Sequence, residues 1–277
     1  MQTEAYAKVN LTLDITGRDE RGYHLLSSLF ATVSLSDTVT LTPGGETITM
    51  SCDWPFIPVD DRNLCIKAVR CFFNELSLPE EGLHIDLKKR IPVCAGLGGG
   101  SSDAAAVIRL LCRHYGVAET DPAVHRIAVR VGADVPFFLK GGLCLAEGIG
   151  DILTPQPSLR GYTLLIAKTS ERASTPDVYR VYDSLARSAA LSTPSFLQAL
   201  RRGEDIAPYV SNHLTEAAST LCPSVPRLKA QLISLGACAA EMSGSGSAVY
   251  GLFREEKTAR KAKKLIDARF CRICRFV

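Results

Sequence analysis

The chain has 277 residues, of which 46% are hydrophobic and 22% are charged, and its formal net charge is +3. This length and composition are typical of a soluble globular protein that forms one large domain or two modest ones. The small net charge gives no support for nucleic-acid binding, and no apolar run approaches the roughly 20 residues that cross a bilayer.

The N-terminal segment and the cysteines bear on the compartment. Residues 1–10 include Glu4 and Lys8 and lack the apolar core of a secretory signal. Ten cysteines without such a signal indicate reduced thiols, so we expect a cytoplasmic protein without a disulfide framework. Cys271 and Cys274 form a C-x-x-C pair, but no second pair completes a zinc site, and no metal ligands are predicted.

The first half of the chain begins with strands. Alternation of apolar and polar residues predicts a strand within Ala5–Ile15. Thr38–Leu41 and Thr47–Cys52 also alternate, and they flank Pro43-Gly44-Gly45. This arrangement predicts a hairpin.

Three helices and a further strand follow. Asn63 is placed to cap an amphipathic helix, and the pattern predicts a strand over His84–Ile91. An apolar helix is predicted from Ala104 to about Tyr115, ended by Gly116. Another helix is predicted between Asp121 and Gly132.

The second half mixes strands and helices after a proline-rich boundary. Pro155-Gln156-Pro157 predicts a division into domains 1–156 and 157–277. A strand is predicted over Tyr162–Ala167 and a helix over Pro223–Leu235. Because regular βαβ alternation is missing, the predicted fold class is α+β in two lobes.

The C-terminal region contains a basic stretch, Arg254–Lys264, that is typical of the solvated face of a helix. No aromatic residues are interleaved with its charges, so nucleic-acid binding is not expected there. A closing strand is predicted after it.

The segment 92–106, PVCAGLGGGSSDAAA, is the most informative part of the chain. Gly96 and Gly98–Gly100 lack Cβ atoms, so the backbone can approach a ligand closely. The following helix presents unpaired N–H groups and the positive end of its dipole, which suit a phosphate. Asp103 is expected to cap this helix. A lone glycine run is often an ordinary turn, but a preceding strand and a following helix favour a phosphate loop.

Two common phosphate-binding motifs do not fit this loop. GLGGGSSD lacks the GK[ST] ending of a Walker A loop. A dinucleotide-binding fingerprint would need Ser101 in place of its last glycine, and no acidic residue follows a second strand at the expected distance.

Four segments in order resemble the GHMP small-molecule kinases. They are AYAKVNLTLDITGRDERGYHLLSSLF (5–30), IPVCAGLGGGSSDAAA (91–106), GADVPFFLKGG (132–142) and MSGSGSAVYGLF (242–253). With the RGYH signature, the chain is most similar to the branch whose substrate is a cytidine diphosphate sugar alcohol derived from methylerythritol. That branch belongs to the non-mevalonate isoprenoid pathway.

The resemblance implies a fold and an activity. The N-terminal lobe would be like the second domain of ribosomal protein S5, the C-terminal lobe would be α/β, and the active site would lie in the cleft between the lobes. The enzyme would use ATP, with Mg²⁺ as the counterion of the triphosphate, to phosphorylate the 2-hydroxyl of a small-molecule cytidine diphosphate sugar alcohol. No nucleic acid or membrane is implied as a partner, and the sequence is compatible with a monomer or a homodimer.

The catalytic residues implied by the resemblance are Lys8 and Asp134. Asp134 would accept the proton of the substrate hydroxyl. Lys8 would keep this carboxylate ionised and stabilise charge on the reacting oxygens. Without the resemblance, a surface lysine of a strand and an acidic residue at a corner after Gly132 would explain both positions.

The substrate-binding residues implied are Asn10, Tyr23, His24 and Tyr179. Tyr23 would stack on the cytosine ring and His24 would hydrogen-bond to its edge. Asn10 would orient the methylerythritol part. Tyr179 would form the opposite wall of the cytosine pocket, although packing on a helix explains its position equally well.

The nucleotide-binding residues implied lie in the glycine loop and at the start of the first helix. The triphosphate would rest on the backbone amides of the loop, with serine hydroxyls added, and the adenine would lie near residues 63–67. The residues are Pro92, Gly96, Leu97, Gly98, Gly99, Gly100, Ser101, Ser102 and Asn63.

Two positions depart from the family pattern, and two alternative functions stay open. His213 stands where relatives usually carry an aspartate, and Asp151 stands where glutamate is common. One alternative is a GHMP kinase for mevalonate or homoserine, but those substrates lack a base for Tyr23 and His24. The other is an RNA-binding module, which the glycine loop and the small net charge disfavour.

Overall fold

The computed structural model describes residues 1–185 and 190–277. Helices and strands both occur throughout, which confirms the α+β class. The strands are β1 (Gln2–Arg18), β2 (His24–Pro43), β3 (Ile48–Cys52), β4 (Leu83–Lys88), β5 (Leu143–Glu147), β6 (Ile152–Gln156), β7 (Thr163–Lys168), β8 (Ser211–Asn212), β9 (Ala239–Met242), β10 (Val249–Phe253) and β11 (Phe270–Cys274). The α-helices are α1 (Leu64–Glu75), α2 (Gly99–Tyr115), α3 (Pro122–Val131), α4 (Val135–Lys140), α5 (Thr175–Ser184), α6 (Thr193–Arg202), α7 (Thr215–Leu221), α8 (Ser224–Ser234) and α9 (Glu256–Leu265).

The chain forms two compact units. Unit 1 consists of Met1–Ala7, Leu35–Val93 and Gly98–Gly141, and unit 2 consists of Lys8–Ser34, Cys94–Leu97 and Gly142–Val277. The strands β1 and β2 therefore each contribute residues to both units. The division at residue 156 stays a prediction.

Unit 1 combines a sheet with four helices. The second half of β2 pairs antiparallel with β4, and β3 pairs parallel with β4. α1 packs against α2 and α3, and α2 also packs against α4. Phe72, Phe73 and Leu111 are buried in this helical layer, as the helical spacing of apolar residues requires.

The predicted hairpin around Pro43-Gly44-Gly45 is wrong. β4 lies between β2 and β3 and pairs with both strands. The glycine segment instead connects two strands that are not neighbours, and the Gly44 amide donates to the carbonyl of Gly82, just before β4. Alternation predicts that both strands exist, but it does not specify their partner.

Unit 2 contains an antiparallel sheet of four strands in the order β11-β7-β10-β9. Every residue of β7 is buried, because α8 packs on β9 and β10 while α9 packs on β7 and β11. Leu165, Leu228 and Phe253 belong to the core between these layers. In the same unit, β5 pairs with the first half of β2 and with β6, and β8 pairs parallel with β1.

Most predicted helix boundaries agree with the structure. Asn63 caps α1, since its side chain accepts a hydrogen bond of 2.9 Å from the amide of Cys65. Gly116 ends α2 with φ of 68°, and α3 begins at Pro122 behind the cap Asp121. Within the described residues, no helix is long and apolar enough to cross a membrane.

Replacing Asn63 by alanine tests the cap of α1. The side chain satisfies one orphan amide of the helix, so N63A should lower the free energy of unfolding by about 1 kcal/mol. Urea denaturation measures this change. Asn74→Ala is the matched control, because Asn74 is exposed inside the same helix. An equal effect of both substitutions would contradict the capping role.

Candidate functional site

The glycine run forms the first turn of α2 instead of preceding it. The helix begins at Gly99, and Gly98 is its N-terminal cap with φ of 70° and no side-chain hydrogen bond. The first backbone bond of the helix runs from the Ser102 amide to the Gly98 carbonyl, at 2.9 Å. The amides of residues 99–101 therefore have no acceptor within the helix and are available to an anion.

This geometry corrects two predictions about α2. The helix was predicted to start near Ala104, with Asp103 as a capping residue. It starts five residues earlier, and Asp103 lies inside the helix with a side chain that bonds to Lys89. Glycine has a low intrinsic helix propensity, so a prediction from residue propensities places the start of this helix too late.

The two serines of the loop differ in their surroundings. Ser102 is buried, and its hydroxyl donates a hydrogen bond of 2.6 Å to the carbonyl of Tyr6. Its amide is also used by the helix. Ser101 is half-buried, so it is the serine whose hydroxyl and amide remain for a ligand. Ser102 anchors α2 to β1 within unit 1.

A buried lysine connects the elements behind the glycine turn. The Lys89 ammonium donates to the carboxylates of Asp37 and Asp103, the latter at 2.7 Å, and all three side chains are at most 4% exposed. Asp37 also accepts from the amides of Arg90 and Ile91, the latter at 2.8 Å. The trio thereby fixes the backbone that leads into the loop.

The trio contains two carboxyl groups and one ammonium group. Burial raises the pKa of Asp103 to about 8, and the neighbouring Asp37 adds to this rise while Lys89 opposes it. Burial acts to lower the pKa of Lys89, but the two carboxylates outweigh it and raise this pKa. At neutral pH Asp103 therefore carries a proton, and the trio has no net charge. A cluster without net charge has the lowest desolvation cost in a protein interior.

In unit 2, the beginning of the glycine loop lies against a second loop of small residues, 243–248. The amides of Ser247 and Ala248 donate to the carbonyls of Cys94 and Ala95, at 3.4 and 3.2 Å. The Ser243 hydroxyl donates to the Gly96 carbonyl at 2.8 Å. A Cβ atom on Gly96 would lie 1.9 Å from the Ser243 carbonyl oxygen. Only glycine permits this approach.

Lys8 and Asn10 lie on β1 in a buried polar cluster of unit 2. The Lys8 ammonium is 2.6 Å from the Asn10 Oδ1 and 4.5 Å from the centre of the Phe30 ring. The Asn10 amide group donates to Ser28 Oγ at 2.9 Å. Lys8 is 4% exposed, so it is not a surface lysine of a strand.

Residues that the sequence reasoning missed hold Asn10 in place. The Tyr250 hydroxyl donates to the backbone carbonyl of Asn10 at 2.7 Å, and the backbone amide of Asn10 donates to Ser243 Oγ at 3.2 Å. Asn212 donates to the carbonyls of Met242 and Gly244, at 2.9 and 2.7 Å. The SGSGS motif was the available signal, because a run of small residues permits close backbone packing.

The turn 19–23 presents Tyr23 to solvent. The Asp19 carboxylate accepts from the amides of Arg21 and Tyr23, at 3.0 and 2.8 Å, and from the Arg21 guanidinium at 2.9 Å. Tyr23 is 60% exposed, and the Arg21 guanidinium lies 5.3 Å from the centre of its ring. An exposed aromatic ring on a well-bonded turn is suited to stacking on a planar ligand.

The structure brings His24 and Tyr179 together. Their rings are stacked, with centroids 4.6 Å apart and an angle of 28°. His24 Nε2 is 2.7 Å from Asp183 Oδ1, and Arg18 also pairs with this carboxylate. Partial burial acts to raise the pKa of Asp183, but the hydrogen bonds from Arg18 and His24 outweigh it and lower the pKa. An ionised Asp183 therefore fixes the proton of His24 on Nε2.

The remaining predicted residues have the following positions. Asp134 immediately precedes α4, does not cap it, and is half-buried. Asn63 uses its amide group for a bond of 2.7 Å to the Pro58 carbonyl in addition to the cap. Leu97 is buried, and its carbonyl accepts from the Lys8 amide at 3.0 Å. Pro92, which has no amide hydrogen, opens the loop.

His213, which departs from the family pattern, has a structural role. Its Nδ1 accepts a hydrogen bond of 3.0 Å from the Ile15 amide, and its Nε2 lies 3.2 Å from the Ala190 carbonyl. Nε2 is also 3.4 Å from the buried Asp14 carboxylate. The imidazole thus supports the end of β1 inside unit 2.

Metal ligands are sparse in the described residues, where no group of three or more His, Cys, Asp or Glu side chains could hold an ion. A Mg²⁺ ion does not need such a group when it is bound mainly through nucleotide phosphates and water. The donors of the glycine turn, three amides and the Ser101 hydroxyl, fit a metal-bound triphosphate better than a bare cation.

Comparison with protein families matches two parts of the chain. Residues 63–142 match the GHMP kinases N terminal domain, and residues 189–270 match the GHMP kinases C terminal domain. The first match contains the glycine loop and Asp134, and the second contains the SGSGS loop.

Two curated relatives and one solved structure that match most of the chain illustrate the similarity. A 4-diphosphocytidyl-2-C-methyl-D-erythritol kinase of Prosthecochloris aestuarii is 36% identical over 98% of this chain and 95% of its own length. The kinase of that name from Clostridium beijerinckii is 34% identical over 91% of each chain. A crystal structure of 4-(cytidine 5'-diphospho)-2C-methyl-D-erythritol kinase is 36% identical, covers 99% of both chains and has a TM-score of 0.83.

Replacing Gly96 by alanine tests the contact between the two small-residue loops. The added Cβ would clash with the Ser243 carbonyl. G96A should therefore lower the free energy of unfolding by clearly more than the roughly 1 kcal/mol that a left-handed conformation costs a non-glycine residue. Gly116→Ala is the matched control, because φ is +68° there, against +70° at Gly96, and nothing lies within 4 Å of its Cβ. Equal losses of unfolding free energy in both variants would contradict the close contact.

Replacing Asp103 by asparagine tests the proton on the buried trio. Because the pKa of Asp103 is about 8 in the folded protein and near 3.8 in the unfolded chain, its stabilising contribution is complete below about pH 4 and is lost as the pH rises through 8. D103N should therefore make the decrease of unfolding free energy between pH 5 and pH 8 shallower. Asp61→Asn, at an exposed site, should leave the slope as in the wild type. An unchanged slope in D103N would show that Asp103 is already ionised.

Proposed function

The chain belongs to the GHMP kinases, within the family of 4-diphosphocytidyl-2-C-methyl-D-erythritol kinases, and we propose that it transfers the γ-phosphoryl group of ATP to the 2-hydroxyl of 4-diphosphocytidyl-2-C-methyl-D-erythritol. The observation that carries this proposal is the glycine turn at the start of α2 together with the exposed Tyr23 and the fixed His24. The first feature suits a triphosphate and the second suits a nucleobase. The protein is proposed to act in the cytoplasm.

The glycine loop is the proposed cradle for the triphosphate. The amides of Gly99, Gly100 and Ser101 point out of the first turn of α2, where the helix dipole favours negative charge. Gly96 and Gly98, both with φ of 70°, let the backbone bend around the phosphates. Mg²⁺ would neutralise charge on the phosphate oxygens, with the Ser101 hydroxyl as the neighbouring protein oxygen.

Asp134 is the proposed base and Lys8 the proposed electrostatic partner. A carboxylate within hydrogen-bond reach of the substrate hydroxyl would take its proton as the phosphoryl group is transferred. A buried ammonium group would stabilise negative charge on the reacting oxygens. The position of Lys8 supports this role, because Asn10 and the Phe30 ring hold its ammonium group in one place.

Tyr23 and His24 are the proposed readers of the cytosine. The Tyr23 ring would stack on the base. Since Asp183 keeps the proton of His24 on Nε2, the Nδ1 of the neutral ring is an acceptor, which matches the exocyclic amino group of cytosine. Tyr179 supports the imidazole from its stacked position, and it is proposed to bound the pocket through this ring. Asn10 is proposed to orient the methylerythritol part.

A coupled assay of ADP release tests the proposed function. Purified protein with ATP and Mg²⁺ should release ADP when the cytidylated methylerythritol is added, and should not do so with mevalonate or homoserine. Turnover of mevalonate alone would contradict the cytidine specificity and favour another GHMP kinase. Salt-sensitive RNA binding without any turnover would contradict the kinase function itself.

Replacing Asp134 by asparagine tests the proposed base. The amide cannot accept the proton, so D134N should lower kcat by about a hundredfold or more while the KM for ATP stays within a few-fold of the wild type. The exposed Asp267→Asn is the control and should retain full activity. Retained activity in D134N would contradict the role of Asp134 as the base, and catalysis would then rest on positioning and electrostatics alone.

Replacing Tyr23 by alanine tests the cytosine stack. Base stacking on an aromatic side chain contributes about 1–3 kcal/mol, so Y23A should raise the KM for the cytidylated substrate about tenfold and leave the KM for ATP unchanged. Tyr23→Phe keeps the ring and should be nearly wild type. A large effect of Y23F, or none of Y23A, would contradict stacking.

A further inference from the structure

The C-terminal part of unit 2 contains a basic groove that the proposed reaction does not use. The groove has a volume of about 860 Å³ and lies between α9, β11 and Ser34 of β2. None of the residues proposed for catalysis, substrate binding or nucleotide binding lines it. Its charged lining consists of Arg260, Lys263, Lys264, Arg272, Arg275 and Glu256.

Glu256 pairs with two of the arginines that line the groove. Its Oε1 accepts from Arg260 Nε at 2.9 Å, and its Oε2 pairs with Arg275 at 2.6 Å. The hydrogen bonds from Arg275 and Arg260 lower the pKa of Glu256, so this carboxylate is ionised at neutral pH. Arg275 is also fixed through its backbone, since its amide donates to Ser34 Oγ at 3.0 Å and its carbonyl accepts from the Ser34 amide at 2.9 Å.

Three further cations line the groove. Within residues 1–185 and 190–277, Lys263, Lys264 and Arg272 make no ion pair with a carboxylate. The two lysines lie in the last turn of α9, where the helix dipole favours cations. This explanation does not extend to Arg272, which is on β11.

Positive charge is concentrated at the C-terminal end of the sequence, which contains most of this groove. Residues 254–277 contain nine of the 32 Lys and Arg but only three of the 29 Asp and Glu. The last 24 residues therefore carry a formal charge of +6, and the remaining 253 residues carry −3. Cations gathered around a concave surface repel one another, and their field raises the local concentration of anions.

We propose that this groove binds a small molecule that carries two or more linked phosphate groups. The planar guanidinium group of Arg272 can form paired hydrogen bonds with phosphate oxygens, and Arg260 and Arg275 keep N–H donors that Glu256 does not use. The volume lies in the range of small-molecule sites. Among the residues that the structure describes, no aromatic side chain lines the groove, so they offer no surface on which the bases of a single-stranded nucleic acid could stack.

Hydrogen exchange and calorimetry with the full-length protein test the proposal, with inorganic tripolyphosphate as the probe. Tripolyphosphate should slow amide exchange in peptides that cover residues 256–275, whereas sodium chloride at equal ionic strength should not. ATP should protect the same peptides, which extends the result from a free polyphosphate to a phosphate ester. Unchanged exchange in these peptides with both probes would overturn the proposal.

Two double variants distinguish a specific binding site from a general attraction between the basic surface and anions. K263Q/R272Q removes two cations from the groove and should weaken tripolyphosphate binding at this site at least about tenfold, with kinase activity unchanged. K257Q/K261Q removes the same charge from α9 at positions outside the groove and should bind as the wild type does. Equal weakening by both pairs would overturn the proposal. So would protection of the same peptides by a single-stranded RNA but not by tripolyphosphate.

Discussion

The glycine loop depends on the ion pairs of the buried Lys89 ammonium group. This group links Asp37 of β2 with Asp103 of α2, and Asp37 in turn holds the amides of residues 90 and 91. Removing one partner of a buried ion pair costs about 3–5 kcal/mol, because the remaining charge is left without compensation. The trio therefore fixes the direction in which the first turn of α2 presents its amides.

The second constraint is the absence of side chains where two loops approach each other. Gly96 faces the Ser243 carbonyl in unit 2, and the same Ser243 bonds to Asn10, next to the buried Lys8. The beginning of the glycine loop, an anchored asparagine and a fixed ammonium group are thus parts of one hydrogen-bonded arrangement within unit 2. This explains why a motif of small residues near the C-terminus accompanies a glycine loop more than 140 positions earlier.

Sequence patterns predict local features well and partners poorly. Asn63 and Gly116 are recognisable because caps depend on one residue and its own backbone. The hairpin prediction at Pro43-Gly44-Gly45 fails because β4, which begins 38 residues after Gly45, supplies the pairing. Asp103 is misjudged as a cap for the same reason, since its partner Lys89 is set by tertiary packing. The stack of His24 on Tyr179 also joins distant residues, and the family resemblance assigned both residues to the cytosine pocket without predicting that their rings stack on each other.

A crystal structure with a cytidine nucleotide and a non-hydrolysable ATP analogue would show directly where the two ligands bind. We expect the triphosphate on the amides of Gly99–Ser101, and the cytosine against the Tyr23 ring with its amino group at His24 Nδ1. The same structure should show Asp134 directed at the acceptor hydroxyl of a bound substrate. A triphosphate bound away from the glycine turn, or a cytosine that contacts neither Tyr23 nor His24, would contradict the proposed binding sites.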